Sequence, residues 1–210
     1  MNLEQVRFNS DGLVPVIVQD AQSGQVLTLA WANREALERT IATGESYFYS
    51  RSRGELWHKG ESSGNRQQVV EIMADCDQDA VIYRVVPDGP ACHTGAESCF
   101  FESLAGESVP NLGEILTELE RTIAARLINL PEGSYVAKMH QAGLDRILKK
   151  IGEEAGEVII AAKNPDSAEL IWEASDLLFH LVLTLQERGL TLAQIAAELE
   201  RRHAPASMDS

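Results

Sequence analysis

Residues 67–86, QQVVEIMADCDQDAVIYRVV, contain two runs rich in β-branched side chains that flank an acidic segment. Such runs are enriched in strands, and a short polar segment between them predicts a turn. Working outward, residues 15–20 and 25–32 predict two more strands about the turn AQSG, and residues 33–44 predict a helix with Asn33 as its N-cap. The first half of the chain is therefore expected to be a mixed α+β domain that is mostly β.

The second half of the chain is expected to be entirely helical. Apolar residues recur at helical spacing in residues 111–129, and residues 143–164, 167–189 and 191–203 continue that pattern. Between the halves, ESLAGESVPNLG has the small and polar composition of a linker. We predict a β-rich domain over residues 1–105, a linker over 106–113, an all-α helical bundle over 114–203 and a disordered tail over 204–210.

Composition limits the classes of function. The 210 residues carry a formal net charge of −14, which disfavours binding to nucleic acid or a membrane surface, since both need a basic face. No apolar run approaches the roughly 20 residues of a membrane span, and no signal peptide is visible. The three cysteines are an odd number, so we expect reduced thiols and a cytoplasmic protein rather than a disulfide framework.

The acidic segment ADCDQDA, residues 74–80, has the D-x-D-x-D pattern that opens a calcium-binding EF-hand loop. That loop requires glycine at its sixth position and glutamate at its twelfth. Ala80 and Val86 stand at those positions, so we reject the EF-hand. A plain polar turn is the remaining alternative to a metal site, although three clustered carboxylates repel one another unless a cation lies among them.

In an extended segment, alternate side chains point to opposite faces. Asp75, Asp77 and Asp79 would then share one face and Cys76 would lie on the other. Carboxylate oxygens suit Mg²⁺ and thiolates suit Zn²⁺. The segment could therefore serve two different metals.

A thiolate zinc site needs more than one cysteine, and GPACHTGAESCFF supplies Cys92 and Cys99. Three thiolates would leave one tetrahedral position for water, as in catalytic zinc sites. The alternative is three free cysteines with no metal. The cytidine-deaminase signature is absent, because the PACH motif lacks a second cysteine three residues on.

Cationic and hydroxyl side chains gather in RSRGELWHKGESSGN, residues 51–65, although the chain as a whole is acidic. Cations, hydroxyls and backbone N–H groups are what a phosphate requires. An exposed polar loop is the alternative interpretation. The substrate-binding candidates of this motif are Arg51, Arg53, Trp57, Lys59, Ser62, Ser63 and Gly64.

RSRGELWHKGESSGN, DCDQD and CHTG…SC occur in this order, and over about residues 10–105 the chain resembles the phosphoribosyl-AMP cyclohydrolases of histidine biosynthesis. The resemblance implies that water on zinc attacks C6 of the adenine ring and that the N1–C6 bond opens. It implies zinc on Cys76, Cys92 and Cys99, contributed by both subunits of a homodimer, and Mg²⁺ on the three aspartates. His93, beside a ligand, is a candidate for proton transfer or for support of the ligand, with a purely structural hydrogen bond as the alternative.

The helical half has its own acidic residues. Glu154 and Glu157 are three residues apart, as are Glu173 and Asp176, so each pair shares one helix face. Glu153 adjoins the first pair and is a further candidate metal ligand. An acidic surface stripe is the alternative, but both helices are otherwise strongly apolar. Two facing helices with paired carboxylates form a divalent-metal site in many bundles.

With SYVAKMHQAG ahead of KKIGEEAGE, residues 110–203 resemble the all-helical nucleotide pyrophosphohydrolases, and more narrowly phosphoribosyl-ATP pyrophosphohydrolase. The resemblance implies attack of water on the polyphosphate, with Mg²⁺ on the four paired carboxylates and with Glu154 and Glu157 as catalytic residues. Lys149 and Lys150 are candidates for the phosphates. The product of this half would be the substrate of the first half.

Two rival hypotheses remain. One is a house-cleaning nucleotide pyrophosphatase whose β domain binds metal only structurally, with a fourth protein ligand on zinc. The other is a non-catalytic module in which both acidic sets bind cations for stability.

Overall fold

The computed structural model describes residues 3–203, and the tail predicted over 204–210 lies outside them. The chain divides into two compact units, Met1–Glu114 and Ile115–Ser210. The first is rich in sheet and the second is helical, so the expected order of a mostly β half and an α half is confirmed. None of the helices in the described range is long and apolar enough to cross a bilayer.

The first unit contains a four-stranded sheet and a separate hairpin. Its elements are a 3₁₀ turn at Leu3–Gln5, β1 Val14–Asp20, β2 Val26–Ala32, α1 Arg34–Thr43, β3 Tyr47–Ser50, β4 Glu55–His58, β5 Gln67–Ala74 and β6 Val81–Pro87. The sheet has the order β2-β1-β6-β5, and β3 pairs with β4. Strands β1 and β6 are parallel, whereas the other neighbours are antiparallel. The predicted strand pairs on either side of AQSG and of the acidic segment are both present.

Alternating burial builds the core of this unit. In β1 every second residue is buried, beginning with Val14, because successive strand side chains point to opposite faces. Helix α1 covers that face with Leu37. The Asn33 side chain accepts a hydrogen bond from the N–H of Ala36 at 2.9 Å, and Gly44 ends the helix at φ 71°. The predicted cap is therefore correct.

The acidic segment is a tight turn, as a polar segment between two strands predicts, and not the extended segment on which the two-face interpretation depended. Strand β5 ends at Ala74 and β6 begins at Val81. An oxygen of Asp75 accepts hydrogen bonds from the backbone N–H of Asp79 and of Ala80, at 3.0 and 3.1 Å. Aspartate closes turns in this way because its short side chain replaces a backbone acceptor. The alternation that would put Asp77 and Cys76 on opposite faces does not apply.

The basic motif is more ordered than the exposed polar loop considered as its alternative interpretation. Strand β4 lies within it and pairs with β3, with Phe48 opposite Trp57. The rest of the motif forms turns at each end of β4.

As far as residue 203, the second unit packs five helices: α2 Leu112–Asn129, α3 Tyr135–Ala142, α4 Leu144–Ala161, α5 Ser167–Glu187 and α6 Leu192–His203. Helix α2 begins inside the segment predicted as linker. The buried core consists of Ile123, Val136, Met139, Ile147, Val182 and Leu183. Helices α4 and α5 pack against each other, and this pairing brings their acidic residues together.

Candidate active sites

The β5–β6 turn gathers three carboxylates. Oxygen atoms of Asp75, Asp77 and Asp79 lie within 4.8 Å of one another, and all three residues are exposed. The N–H of Ala80 is the largest cause that lowers the pKa of Asp75, while the negative charge of Asp77 raises the pKa of Asp79. An oxygen set with one carboxylate under repulsion fits a hard cation such as Mg²⁺.

Cys92 and Cys99 come together in one chain. Cys92 is buried, and its sulfur accepts a hydrogen bond from the hydroxyl of Thr94 at 3.1 Å. That bond is the main cause that lowers the pKa of the Cys92 thiol, and the neighbouring Cys99 side chain lowers it further. A lowered thiol pKa favours the thiolate that a metal requires.

Cys76 lies elsewhere. It is exposed in the β5–β6 turn, 3.9 Å from an oxygen of Asp77. Over residues 3–203, the groups of three or more ligand atoms within 4.8 Å are the turn aspartates and a glutamate cluster of the helical unit. A single chain therefore does not assemble the three predicted thiol ligands.

His93 is exposed, and its Nδ1 lies 3.9 Å from the sulfur of Cys92. The ring is thus beside a predicted metal ligand and open to solvent. This position suits either of its two predicted active roles, and the distance to sulfur is too long for a strong hydrogen bond.

The basic motif separates into different environments. The Arg51 guanidinium stacks over the Trp31 ring at 4.6 Å, and Arg53 pairs with Glu55 at 3.2 Å. Trp57 packs beside Phe48, with ring centroids 4.9 Å apart.

Ser62, Ser63 and Gly64 form an exposed turn, with Gly64 at φ 80°. Lys59 is directed inward, and its ammonium donates to the carbonyl of Ala91 at 2.5 Å. The motif therefore touches the segment that carries Cys92.

In the helical unit, Glu154 and Glu157 of α4 meet Glu173 of α5, with ligand oxygens within 4.8 Å. Glu154 is only 3% exposed. Burial, and then the charges of the two α4 glutamates and of Asp176, raise the pKa of Glu173. Asp176 is thus near enough to act electrostatically, although it lies outside the three-residue group. Repelling carboxylates in a partly buried place are what a divalent cation would neutralise.

Lys150 supplies a cation to this cluster. Its ammonium lies 2.7 Å from Glu154 and 3.1 Å from Glu153. The bond to Lys150 is the main cause that lowers the pKa of Glu154, and the same contact raises the pKa of Lys150. Lys149 is 62% exposed and reaches only Glu153, at 3.4 Å. Lys150 is therefore the lysine that faces the cluster.

Two neighbours of the cluster were not singled out by the sequence. His180 is buried, and its Nδ1 lies 2.9 Å from the carbonyl of Asp176 and 3.9 Å from Glu154. Its Nε2 lies 2.9 Å from the hydroxyl of Tyr135 on α3. The spacing of His180, four residues after Asp176, places both on one helix face and could have indicated it. Tyr135 carries no such signal.

Oxygen-rich clusters in both units, with a thiol pair in the first, are typical of metal-dependent hydrolases. Comparison with known families agrees. The phosphoribosyl-AMP cyclohydrolase family matches residues 28–101, and the phosphoribosyl-ATP pyrophosphohydrolase family matches residues 116–203.

Curated relatives match along nearly the whole chain. The histidine biosynthesis bifunctional protein HisIE of Thermus thermophilus is 62% identical, over 99% of this chain and 96% of the relative. The protein of the same name from Bacillus subtilis is 54% identical, over 96% of each chain. That from Deinococcus radiodurans is 51% identical, over 99% of this chain and 96% of its own.

The chain therefore belongs to the family of bifunctional histidine-biosynthesis enzymes with a cyclohydrolase and a pyrophosphohydrolase domain. The predicted enzyme class, phosphoribosyl-AMP cyclohydrolase and phosphoribosyl-ATP diphosphatase, is confirmed at this level.

Proposed function

We propose that the helical unit cleaves phosphoribosyl-ATP to phosphoribosyl-AMP and pyrophosphate, and that the β-rich unit then opens the adenine ring of the product. The glutamate cluster between α4 and α5 is the observation that carries the first step. It is an oxygen-only set, partly buried and under mutual repulsion. We propose that this unit is a bundle of the nucleotide pyrophosphohydrolase type.

Mg²⁺ would be held by Glu154, Glu157, Glu173 and Asp176, with Glu153 alongside, and it would neutralise phosphate charge and activate water. Glu154 stays ionised because Lys150 lowers its pKa. Glu157 is the exposed member of the cluster, so its carboxylate is open to water and accepts the proton of the attacking molecule.

Lys150 would donate to a phosphate oxygen beside the same carboxylates. Lys149, at the outer edge, would contribute charge to a longer phosphate chain.

In the β-rich unit, zinc would be held by Cys92 and Cys99 of one chain and Cys76 of a second copy, and it would lower the pKa of bound water towards roughly 7. Cys99 is near enough to Cys92 to lower the pKa of its thiol, and Cys76 lies apart from both, which supports a site shared across a homodimer. The turn aspartates would hold Mg²⁺ beside the substrate phosphate. His93 is our candidate for proton transfer at the ring.

The exposed part of the basic motif, with Arg51, Arg53, Ser62, Ser63 and Gly64, would bind the substrate phosphate, and Trp57 would line the base. All three thiols are free of disulfides, which fits a reducing compartment such as the cytoplasm. Small phosphorylated substrates, rather than nucleic acid or membrane, are the proposed partners.

The test follows pyrophosphate release and ring opening separately in the full-length protein with phosphoribosyl-ATP, Mg²⁺ and Zn²⁺. Cys92→Ser should abolish ring opening and leave pyrophosphate release largely intact. Glu154→Gln and Asp176→Asn should stop pyrophosphate release, while supplied phosphoribosyl-AMP is still opened. Ordinary ATP serves as the competing substrate. Equal turnover of ATP, or loss of both activities in one folded variant, would contradict the proposal.

A further inference from the structure

The segment that carries Cys92, residues 88–99, contains neither helix nor strand. Internally, the N–H groups of Ala91 and Cys92 donate to the carbonyls of Glu97 and Ala96, at 3.2 and 3.1 Å. Its position relative to the rest of the unit is fixed by hydrogen bonds to neighbouring elements. At its far end, the Ser98 hydroxyl donates to the carbonyl of Val26 at 2.8 Å, and the N–H of Cys99 donates to the carbonyl of Leu27 at 2.7 Å. Both acceptors belong to β2, so Cys99 is tied to the sheet.

The near end is held by side chains of the basic motif. Lys59 donates to the carbonyl of Ala91 at 2.5 Å, and the Asn65 amide donates to the carbonyl of Pro90 at 3.1 Å. These are the two consecutive carbonyls immediately before Cys92. The two segments also pass closely, because a side-chain carbon at Gly89 would lie 2.8 Å from the Asn65 amide oxygen.

The Lys59 contact does not resemble an exposed surface contact. Ala91 is only 5% exposed, and Lys59 is itself half-buried. A charged donor on a carbonyl makes one of the stronger hydrogen bonds in a protein. An ammonium that served only a substrate phosphate would not need a fixed acceptor on the backbone.

We propose that Lys59 and Asn65 are positioning residues, which together hold the Cys92 thiol in place for the metal. The sequence pattern predicts Lys59 as a ligand of the substrate phosphate and gives no specific signal for Asn65. The consequence for zinc rests on the proposed role of Cys92, whereas the anchoring of the segment does not.

The first measurement needs no metal. In zinc-stripped full-length protein, the rate of Cys92 alkylation by iodoacetamide is followed by peptide mass spectrometry. Lys59→Met and Asn65→Ala should each raise this rate by about 10-fold or more, since losing a hydrogen bond of this kind frees a buried thiol. Lys59→Arg keeps a cationic donor and should restore most of the protection.

Arg84→Met is the matched control, because Arg84 also donates to a backbone carbonyl of this unit, that of Ala21, at 3.2 Å. It should leave Cys92 alkylation unchanged. Circular dichroism checks that each variant is folded, and Lys59→Gln replaces Lys59→Met if the latter is not.

The second measurement is the rate of zinc release to a chromophoric chelator, together with kcat and KM for phosphoribosyl-AMP. Lys59→Met and Asn65→Ala should release zinc about 10-fold faster and lower kcat. A raised KM with wild-type alkylation and zinc release would overturn the positioning role and return Lys59 to the phosphate. If Cys92→Ser retains zinc, the proposed ligand fails, and the alkylation rates still decide the anchor.

Discussion

In the helical unit, neighbouring groups shift the pKa values of two glutamates in opposite directions. Lys150 lowers the pKa of Glu154, whereas burial and neighbouring carboxylates raise that of Glu173. The sequence predicted that these acids share a site, because helical spacing puts paired acids on one face. It did not single out Lys150 over Lys149, although Lys150 stands four residues before Glu154 and so on the same helix face. Nor did it show that Tyr135 reaches His180, since that contact depends on the angle at which two helices pack.

Glu173→Gln should raise the melting temperature of the metal-free protein by a few degrees at neutral pH. Since the folded pKa of Glu173 lies above its unfolded value, the repulsion destabilises the fold above the folded pKa and is relieved as pH falls below it. The gain should therefore shrink towards acidic pH. Calorimetry in chelator at several pH values measures it.

Glu132→Gln, in the loop before α3, is the charge-matched control and should change little. Added Mg²⁺ should stabilise the wild type and have little effect on Glu173→Gln. Equal stabilisation of both proteins by Mg²⁺ would remove Glu173 from the proposed site.

At the scale of elements, sequence patterns predict strands and helix caps better than they predict the form of turns. The strands on both sides of the acidic segment follow from β-branched runs, and the cap of α1 from Asn33 and Gly44. The extended geometry considered for residues 75–79 is not adopted, because hydrogen bonds from backbone N–H groups to Asp75 close a turn there. Strand β4 was missed because Glu55–His58 is short and lies between turn residues.

Asp75→Ala should lower the melting temperature more than Asp77→Ala does. Asp75 accepts two backbone hydrogen bonds that close the turn, whereas Asp77 is the main cause of repulsion on Asp79. The pKa of Asp75 is lowered, so its contribution is present above the unfolded pKa and is lost as pH falls through the folded one. Thermal melts between neutral and acidic pH check this, and equal melting temperatures for the two variants at neutral pH would argue against the assignment.

Gly60→Ala should cost more stability than Gly64→Ala. Both glycines have positive φ, 85° and 80°, so each substitution incurs about 1–2 kcal/mol for the left-handed conformation. At Gly60 the new carbon would also lie 2.6 Å from backbone atoms of Asn65 and Arg66, whereas at Gly64 nothing lies within 4 Å. We expect a further ~1–3 kcal/mol at Gly60 from this overlap. Urea unfolding measures both, and similar losses would mean that the backbone yields.

At the scale of the whole molecule, each compact unit contains its own buried core. The change from strand to helical patterning predicted this organisation. The hydrophobic and strand patterning of one chain does not predict the proposed zinc site, because it does not show which side chains a second copy supplies.

In Ile147→Ala, pyrophosphate release should be lost at a lower heating temperature than ring opening. In Leu37→Ala, ring opening should be lost at the lower temperature. Ile147 is 0% and Leu37 1% exposed, in the cores of different units, and each truncation costs about 2–5 kcal/mol. Residual activities after graded heating, assayed at one temperature, separate the two effects. Parallel loss of both activities in either variant would show that the units unfold together.

Lys150 also affects the protein when no metal ion is bound at the proposed Mg²⁺ site. Tethered beside Glu154 and Glu153, its ammonium acts as a resident counter-ion, so the carboxylates of α4 need not spread apart when no free cation is present. At the proposed Mg²⁺ site, an arriving ion would have to displace this ammonium or share its partners, which would lower the equilibrium occupancy that the carboxylates alone would give. The lysine would thus lower the affinity of the carboxylates for the ion. In return, the cluster would stay assembled while no ion is bound, and the ion would leave readily after turnover.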